Sequence, residues 1–236
     1  MQVTLANTKD TVIQKENCLS GTTPLIASCH YGYTDMVQWM LHNEVVVDQC
    51  RDDDACGLLM ASHEGHTDIR NPVPCDNTSL STSYVNNNIR MRNSQSLVQP
   101  LMKHKPDINA QTNDGGNALY FSACNGHIEI VKLLLENNAD SSICIFSKQY
   151  IAEMIKKHPT GTLGVLKQNI FDTLVKSTLS CVTSYVSKKS VEYAFDVVAG
   201  SSPLHIACFM GRIDVVSCLL DHNANINMTK DDGITP

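Results

Sequence analysis

The sequence lacks several features that mark nucleic-acid-binding and membrane proteins. Its formal net charge is -6 and its 18 Lys and Arg residues form no cluster, whereas binding to a phosphate backbone needs a concentrated basic excess. Aromatic residues make up only 6% of the chain, which leaves few rings on which single-stranded bases could stack. No apolar run approaches the roughly 18 residues of a membrane-spanning helix. We therefore expect neither nucleic acid nor membrane among the partners.

A secretory signal is also missing. The first 18 residues, MQVTLANTKDTVIQKENC, have neither the basic start nor the continuous apolar core of such a signal. We therefore expect an intracellular protein of the cytoplasm, with the nucleus as an alternative compartment. Cysteines stay reduced in both compartments.

The ten cysteines include no Cys-x-x-Cys pair, the spacing that brings two thiolates onto one metal ion. Several of them lie in apolar helical runs, where a free thiol behaves as a small hydrophobic side chain. We expect buried, reduced thiols at Cys29, Cys208 and Cys218.

No group of residues has the spacing of a catalytic site. The motif HEGH at residues 63–66 is one residue shorter than the H-E-x-x-H zinc motif, so its histidines would not face one ion from a helix. GTLG at residues 161–164 lacks the lysine and the full spacing of a phosphate-binding loop. The sequence thus predicts no metal, no cofactor and no enzymatic activity.

What the sequence does contain is a repeated order of residue types. Four segments have Pro, Gly or Ala as their second residue and a glycine eight positions after it. Gly65 lies 33 positions after Gly32, and Pro236 lies 33 positions after Pro203, so the period is 33 residues. One such unit cannot bury its own apolar face, and repetition lets each unit cover the next. The segments are TPLIASCHYGYTDMVQWML, CGLLMASHEGHTDI, NALYFSACNGHIEIVKLLLENNAD and SPLHIACFMGRIDVVSCLLDHNAN.

Each segment has the pattern of two helices joined at the glycine. Thr23 or Ser202 can cap the first helix, and Pro24 or Pro203 can occupy its first turn without losing a hydrogen bond. The glycine can end that helix in a left-handed conformation. The second helix carries an apolar stripe with the spacing of a buried face. In the third segment the stripe is Ile130, Val131, Leu134 and Leu135, and turn residues follow the second helices at Asn138 and Asn223.

This pattern resembles the ankyrin repeat, a unit of about 33 residues made of a β-hairpin finger and two antiparallel helices. The resemblance covers residues 18–69, 98–143 and 197–236. It implies an all-α ankyrin-repeat solenoid with an inserted loop and an inserted helical segment. The predicted divisions are an N-terminal leader or partial repeat (1–17), ankyrin repeats (18–143), an inserted helical segment (144–196), and a repeat followed by the start of a truncated one (197–236).

The period is first interrupted between Gly65 and Gly126, which are 61 positions apart, 28 more than one period. The extra residues, about 70–97, are rich in Asn, Ser and Thr and have few large apolar side chains, so they cannot readily offset the entropy lost on ordering. We interpret them as a loop between the two helices of the second unit, with a decayed, shortened repeat as the alternative. Pro100, inside the resumed helix, is expected to weaken this unit.

The second interruption precedes Pro203, which lies 85 positions after Ala118, 52 more than one period. The inserted segment, 144–196, contains the helical pattern SKQYIAEMIKK and an apolar stripe that begins at Leu163. We expect its helices to pack on the flank of the solenoid, with docking of another molecule as the alternative. The fourth unit would then lack a good neighbour on both flanks, because the final DDGITP opens a further, truncated unit without helices.

The resemblance also implies a function, since ankyrin-like solenoids bind partner proteins on a concave surface of fingertips and first helices. We expect a non-catalytic protein-protein interaction module; the alternative is a regulatory or scaffold fragment of a larger enzyme or signalling protein. The acidic fingertips favour a partner with a basic patch, although solvated turns explain them equally well. The candidates are His30, Tyr31, His63, Glu64, Cys124, Asn125, Phe209 and Met210 on the first helices, and Asp52, Asp53, Asn113, Asp114, Asp231 and Asp232 on the fingertips.

The resemblance assigns three histidines to structure. His66 and His127 follow a helix-ending glycine, a position at which the family commonly has histidine. His205 matches the structural histidine of the family's first helix, whose ring can bond the backbone of the neighbouring finger. We therefore expect none of these rings to act in catalysis or metal binding.

Overall fold

The computed structural model describes most of the repeated units. Several predicted segments lie outside the described residues: the leader 1–17, the loop 70–97 except Leu97, and most of the inserted segment 144–196. The described residues are 21–66, 97–146, 164, 165, 167, 168, 171, 172, 187–230 and 233–236.

These residues contain nine named helices, and eight of them form four pairs. Each pair is one predicted unit, with a first and a second helix, and α7 lies between the third and fourth pairs in the chain. The helices are α1 (Pro24–Tyr31) and α2 (Thr34–His42), α3 (Gly57–Glu64) and α4 (Val98–Met102), α5 (Ala118–Asn125) and α6 (Ile128–Glu136), α7 (Val191–Val198), and α8 (Pro203–Phe209) and α9 (Ile213–Asp221).

The four pairs form one stack. Helix α1 contacts α3, α3 contacts α5, and α5 contacts α8, while the second helices α6 and α9 also contact each other. Their buried apolar side chains belong to a single core. The fourth unit therefore packs directly on the third. The expectation that the second insertion deprives it of a good neighbour on that flank is wrong.

The predicted helix caps are confirmed. The hydroxyl of Thr23 accepts a hydrogen bond from the N–H of Ile26 at 3.3 Å, and Ser202 caps α8 through the N–H of His205 at 3.4 Å. Asn117 does the same for α5, where its side chain accepts from the N–H of Tyr120 at 2.8 Å. Each cap satisfies one of the N–H groups that a helix leaves unpaired at its start.

The predicted glycine turns are also confirmed. The four glycines all have left-handed backbone conformations, in which a side chain costs strain. The φ angles are +73° at Gly32, +71° at Gly65, +81° at Gly126 and +67° at Gly211.

The residue after each glycine links its unit to the preceding one. The Nε2 atom of His66 donates to the carbonyl oxygen of His30 at 2.5 Å, and that of His127 donates to the carbonyl of His63 at 3.1 Å. Arg212 occupies the same position in the fourth unit, and its Nε donates to the carbonyl of Cys124 at 3.1 Å. We call this set of three bonds the histidine-arginine ladder. Its bonds give hydrogen-bond donors to carbonyl groups at the C-terminal ends of the first helices, which have no N–H partner within their own helix.

The ladder requires glycine for a second reason, which is space. A Cβ atom added at Gly65 would lie 2.2 Å from the ring of His127, and one at Gly126 would lie 2.9 Å from the side chain of Arg212. At Gly211 no atom lies within 4 Å of such a Cβ, because no described unit follows. Glycine thus lets the side chain of the next unit cross directly over the helix end.

Neighbouring fingers contact each other, as the neighbouring helices do. The N–H of Asn113 donates to the carbonyl of Asp53 in the preceding finger at 2.9 Å, and the N–H of Phe146 donates to the carbonyl of Asp114 at 2.7 Å. The first helices add side-chain contacts to the next finger. The Tyr120 hydroxyl lies 3.4 Å from that of Ser201, and His205 Nε2 donates to the carbonyl of Ile234 at 3.2 Å, as the resemblance implied for His205.

The second insertion lies at the tip of the fourth finger. Ile145 pairs with the returning chain through two backbone bonds, from its N–H to the Ser201 carbonyl at 3.1 Å and from the Gly200 N–H to its own carbonyl at 2.8 Å. Residues 144–146, which the sequence assigned to the insertion, thus belong to the finger. The two ends of the insertion meet there, which explains why the third and fourth units still touch.

Helix α7 is the best described part of this insertion, and it packs on the stack. Ala194, Phe195 and Val198 are buried in the common core, and the ring centroid of Phe195 lies 5.9 Å from that of Phe146. The ammonium group of Lys230 donates to the carbonyls of Asp196 and Val197 at the end of α7, at 2.6 and 3.0 Å. For α7, the expected packing on the flank is therefore present.

The first insertion also begins and ends at one place. The N–H of Leu97 donates to the carbonyl of His66 at 3.0 Å, so the chain leaves and re-enters the second unit at the same point. Leu97, Val98 and Leu101 are buried at the positions of the third unit's stripe. Pro100 lies in the first turn of α4, where no intrahelical N–H bond is needed, so its expected weakening effect has no basis in this helix.

None of the helices in the described ranges is long and apolar enough to cross a lipid bilayer.

We predict that Gly65→Ala destabilises the protein more than Gly211→Ala. Both glycines have a similar left-handed φ angle, so each change should cost about 1 kcal/mol in backbone strain. Only Gly65→Ala also displaces the His127 ring, which should add about 2 kcal/mol by breaking a hydrogen bond and the packing around it. Urea unfolding of the two variants measures the difference, and equal losses would contradict the spatial role of the ladder.

We also predict that Lys230→Met loosens α7. The substitution keeps the aliphatic stem but removes the donor that satisfies the last carbonyls of this helix. Amide hydrogen exchange in residues 191–198 should accelerate, while exchange in α5 should not change. Lys132→Met, at an exposed site on α6, is the control, and a similar acceleration in both variants would refute the capping role.

Candidate functional site

The C-terminal ends of the first helices come together along one edge of the stack. Glu64 joins two units, because its Oε1 lies 2.9 Å from Nδ1 of His63 and 3.3 Å from Nδ1 of His30. The side-chain amide of Asn125 donates to the carbonyl of His63 at 2.8 Å. We call the exposed and partly exposed side chains of this edge the inner-helix surface; it comprises His30, Tyr31, His63, Glu64, Phe121, Cys124, Asn125 and Phe209.

Exposure differs among the predicted candidates on this edge. Tyr31 is the most exposed, at 56%, while His63, Asn125 and Phe209 are each partly exposed. Met210 is an exception with 2% exposure, since it packs into the core at the end of α8. It cannot form part of an accessible surface, so its inclusion among the surface candidates is corrected.

Glu64 is held as a carboxylate. The hydrogen bond from His63 is the largest influence and lowers the pKa of Glu64, and the charges of His63 and His30 act in the same direction. Burial acts against them but does not prevail. The inner-helix surface therefore carries a negative charge at the junction of the first and second units.

The fingertip candidates do not all present free charge. Asp52 is exposed, whereas Asp53 binds the guanidinium of its neighbour Arg51 through two bonds of 2.6 Å. Burial alone would raise the pKa of Asp53, but the hydrogen bonds from Arg51 and from the N–H of Ala55 lower it. Asp53 thus remains ionised while its charge is largely neutralised by Arg51.

Asp114 faces inward at the third finger. Its carboxylate accepts hydrogen bonds from the hydroxyl of Thr112 and from the N–H of Gly116, and burial raises its pKa. Beside it, the amide of Asn113 donates to the carbonyl of Asp52 at 2.9 Å. Asp114 therefore fixes the turn of its own finger, and Asp52 is the more exposed acid of the two. Asp231 and Asp232 lie outside the described residues.

Two residues of this edge escaped the sequence analysis. Phe121 lies on α5 three residues before Cys124, and its ring packs against the His63 ring with centroids 5.6 Å apart. Its helical spacing from Cys124 was a signal that could have identified it. Arg212 was missed because it replaces a histidine, although it follows Gly211 as His66 follows Gly65.

The cysteines that the structure describes are free thiols, and their environments differ. No group of three or more His, Cys, Asp or Glu side chains in the described ranges could hold a metal ion. Burial raises the pKa of Cys29 to about 12, which makes its thiol unreactive at neutral pH. Cys218 is also buried as predicted, but Cys208 is exposed on α8, so the expectation of burial is wrong for Cys208.

Stacked finger-helix-helix units with this glycine register define a repeat protein of the solenoid class. A family model described as ankyrin repeats in three copies matches residues 74–152, and the model of a single ankyrin repeat matches residues 20–53 and 199–231. The chain belongs to the ankyrin-repeat family. The matched ranges leave out α3, which the structure places in the stack between α1 and α5. Ankyrin repeats generally serve as protein-protein interaction modules.

We predict that His127 makes the stability of the stack dependent on pH. Burial is the main reason that the pKa of His127 is lowered below its ordinary value of 6.5. The folded state therefore binds fewer protons than the unfolded chain, so this contribution to stability is present above pH 6.5 and is lost as the pH falls. The unfolding free energy should fall less between pH 7.5 and about 5.5 in His127→Gln, whose amide can still donate to the His63 carbonyl.

Urea unfolding at several pH values measures this dependence. His42→Gln is the control, since His42 is exposed at the end of α2 and contacts no other unit through the ladder. An unchanged pH slope in His127→Gln would show that the buried ring is not the source.

Proposed function

We propose that this chain is a non-catalytic module that binds a partner protein through its inner-helix surface and the neighbouring fingertips. The observation that supports this most directly is the continuity of the surface across units. Side chains of different chemistry, from Tyr31 through Glu64 to Phe209, lie on helices held by one core and one ladder. A rigid array lowers the entropy lost on binding, because little has to be ordered when the partner arrives.

We infer that the partner presents a basic patch. The inner-helix surface has a carboxylate at Glu64, and the second fingertip has an exposed carboxylate at Asp52. Both belong to the same unit, and the formal net charge of the chain is also negative. Complementary charge chiefly accelerates association and selects among partners. We further propose that this binding takes place inside the cell.

The double variant Glu64→Gln/Asp52→Asn tests the proposal. It removes two charges and preserves the sizes of the side chains. We expect binding to the partner, identified by cross-linking to the wild-type chain, to weaken about three- to tenfold, mostly through slower association. Surface plasmon resonance at low and high salt separates the two rates.

The matched control is Glu129→Gln/Asp221→Asn, which removes two exposed charges from the second helices α6 and α9. Circular dichroism should show native helix content in both double variants. If both weaken binding equally, net charge alone is responsible. If the partner instead cross-links to the second helices, the assignment of the inner-helix surface is refuted.

A further inference from the structure

Two cysteines face each other at the base of the second finger, residues 50–56. Cys50 and Cys56 form an antiparallel bridge, and next to it the N–H of Arg51 donates to the carbonyl of Ala55 at 3.1 Å. Hydrogen-bonded and non-hydrogen-bonded pairs alternate along an antiparallel ladder, so the two cysteines are a non-hydrogen-bonded pair. The Cα atoms of such a pair lie about 4.5 Å apart, and a disulfide bond spans Cα distances of about 4.4 to 6.8 Å. The backbone therefore holds the two thiols at the spacing of a disulfide bond.

The neighbouring units have no cysteine pair at this place. In the third unit the same bridge joins Gln111 to Asn117, whose side chain caps α5. Thr23 and Ser202, which precede α1 and α8, also cap their helices, whereas Cys56 makes no such hydrogen bond to α3. A missing cap lowers the stability of a helix. The second unit thus departs from the local rule of its neighbours at one of the two facing cysteines, and such departures are expected at functional positions.

The two thiols differ in their access to solvent. Cys50 is exposed, and its thiol donates a weak hydrogen bond to the carbonyl of Asp48 at 3.4 Å, while Cys56 is only 2% exposed. Burial raises the pKa of Cys50, and the charge of Cys56 acts in the same direction. Burial also raises the pKa of Cys56. Both thiols are mostly protonated at neutral pH, so thiol–disulfide exchange is slow there, but the exposed thiol can meet a small disulfide while the buried one completes the exchange.

We propose that Cys50 and Cys56 are a reversible redox site that reacts with a low-molecular-weight disulfide, such as glutathione disulfide, and closes a disulfide bond across the second finger. The bond joins the two sides of the finger whose tip carries Asp52. This modification goes beyond the function proposed above and does not depend on it.

The exchange proceeds in two steps. The thiolate of Cys50 attacks one sulfur of glutathione disulfide, so a mixed disulfide forms while the original S–S bond breaks and one glutathione leaves. The thiolate of Cys56 then attacks the Sγ atom of Cys50, and the second glutathione leaves as the mixed disulfide breaks. The two protons of the protein thiols end on the two glutathione thiols. The protein thus loses two electrons, and the small disulfide gains them.

Equilibration of the full chain with reduced and oxidised glutathione tests this proposal. Samples are equilibrated at about pH 8.5, where a larger fraction of each thiol is ionised, then alkylated and digested for mass spectrometry. Cleavage after Arg51 by trypsin separates Cys50 from Cys56, and cleavage after Trp39 by chymotrypsin separates Cys50 from Cys29. We expect a bond between Cys50 and Cys56. It should be about tenfold harder to reduce in the native protein than in the same chain in urea, because the fold holds the two thiols together.

The bond should also slow the opening of the second finger. Amide hydrogen exchange of residues 51–55 should be about tenfold slower in the oxidised protein than in the reduced protein, because the disulfide restricts the opened state. Exchange in α9, which lies in the fourth unit, should be the same in both forms.

Three variants locate the site. Cys50→Ser should abolish the bond, and so should Cys56→Ser, which is expected to fold because Ser202 caps α8 from the equivalent buried position. Cys29→Ala is the control, since Cys29 also lies beside the start of α3, where a Cβ added at Gly57 would be 3.2 Å from its sulfur. This variant should keep the bond.

Several results would overturn the proposal. These are a bond from Cys56 to Cys29 in place of Cys50, glutathione that stays on Cys50 without transfer to Cys56, and equal ease of reduction in the native and urea-unfolded chain. Unchanged amide exchange of residues 51–55 on oxidation would overturn it as well.

Discussion

The crossing of one side chain over a glycine is the contact on which the rest of this stack depends. At each internal junction, a His or Arg side chain from one unit passes over the glycine of the unit before it and reaches the carbonyl oxygen two residues earlier. The contact fixes the distance between neighbouring first helices, and the fingers and second helices then fall into the same register. A β-carbon at the glycine closes the space in which the ring or guanidinium lies. The space at these glycines therefore determines how closely neighbouring first helices, and the inner-helix surface that they carry, can approach each other.

The sequence was sufficient to predict the features that depend on local chemistry. Thr23, Ser202 and the four turn glycines act through their own backbone neighbours, so their roles follow from residue type and position. The repeated register was also visible, because the same local chemistry recurs every 33 residues. In contrast, the burial of Met210 and the exposure of Cys208 depend on which side chains lie across the junction between units. Spacing within a single unit does not contain that information.

The exposed apolar side chains of α2 show the same limit from the other side. Met36 occupies a position that is buried in the third and fourth units as Ile130 and Val215, and an apolar stripe at helical spacing is normally a core face. Only the place of the first unit in the stack exposes Trp39 and Met36. The inner-helix surface and the exposed side of α2 thus have different origins. The first is exposed in every unit by the geometry of the repeat, whereas the second exists once, where the described stack begins.

Both insertions begin and end at a single hydrogen-bonded position, His66 with Leu97 and Ile145 with Gly200. Chain added between such closely spaced ends costs only the slowly growing entropy of closing a longer loop. A change in the length of either segment therefore leaves the distances between units almost unaltered. In evolution or in protein engineering, these two positions are therefore suitable sites for the insertion of a foreign sequence. At the fourth fingertip, the inserted segment is longer than one full repeat. The third and fourth units nevertheless keep their contact.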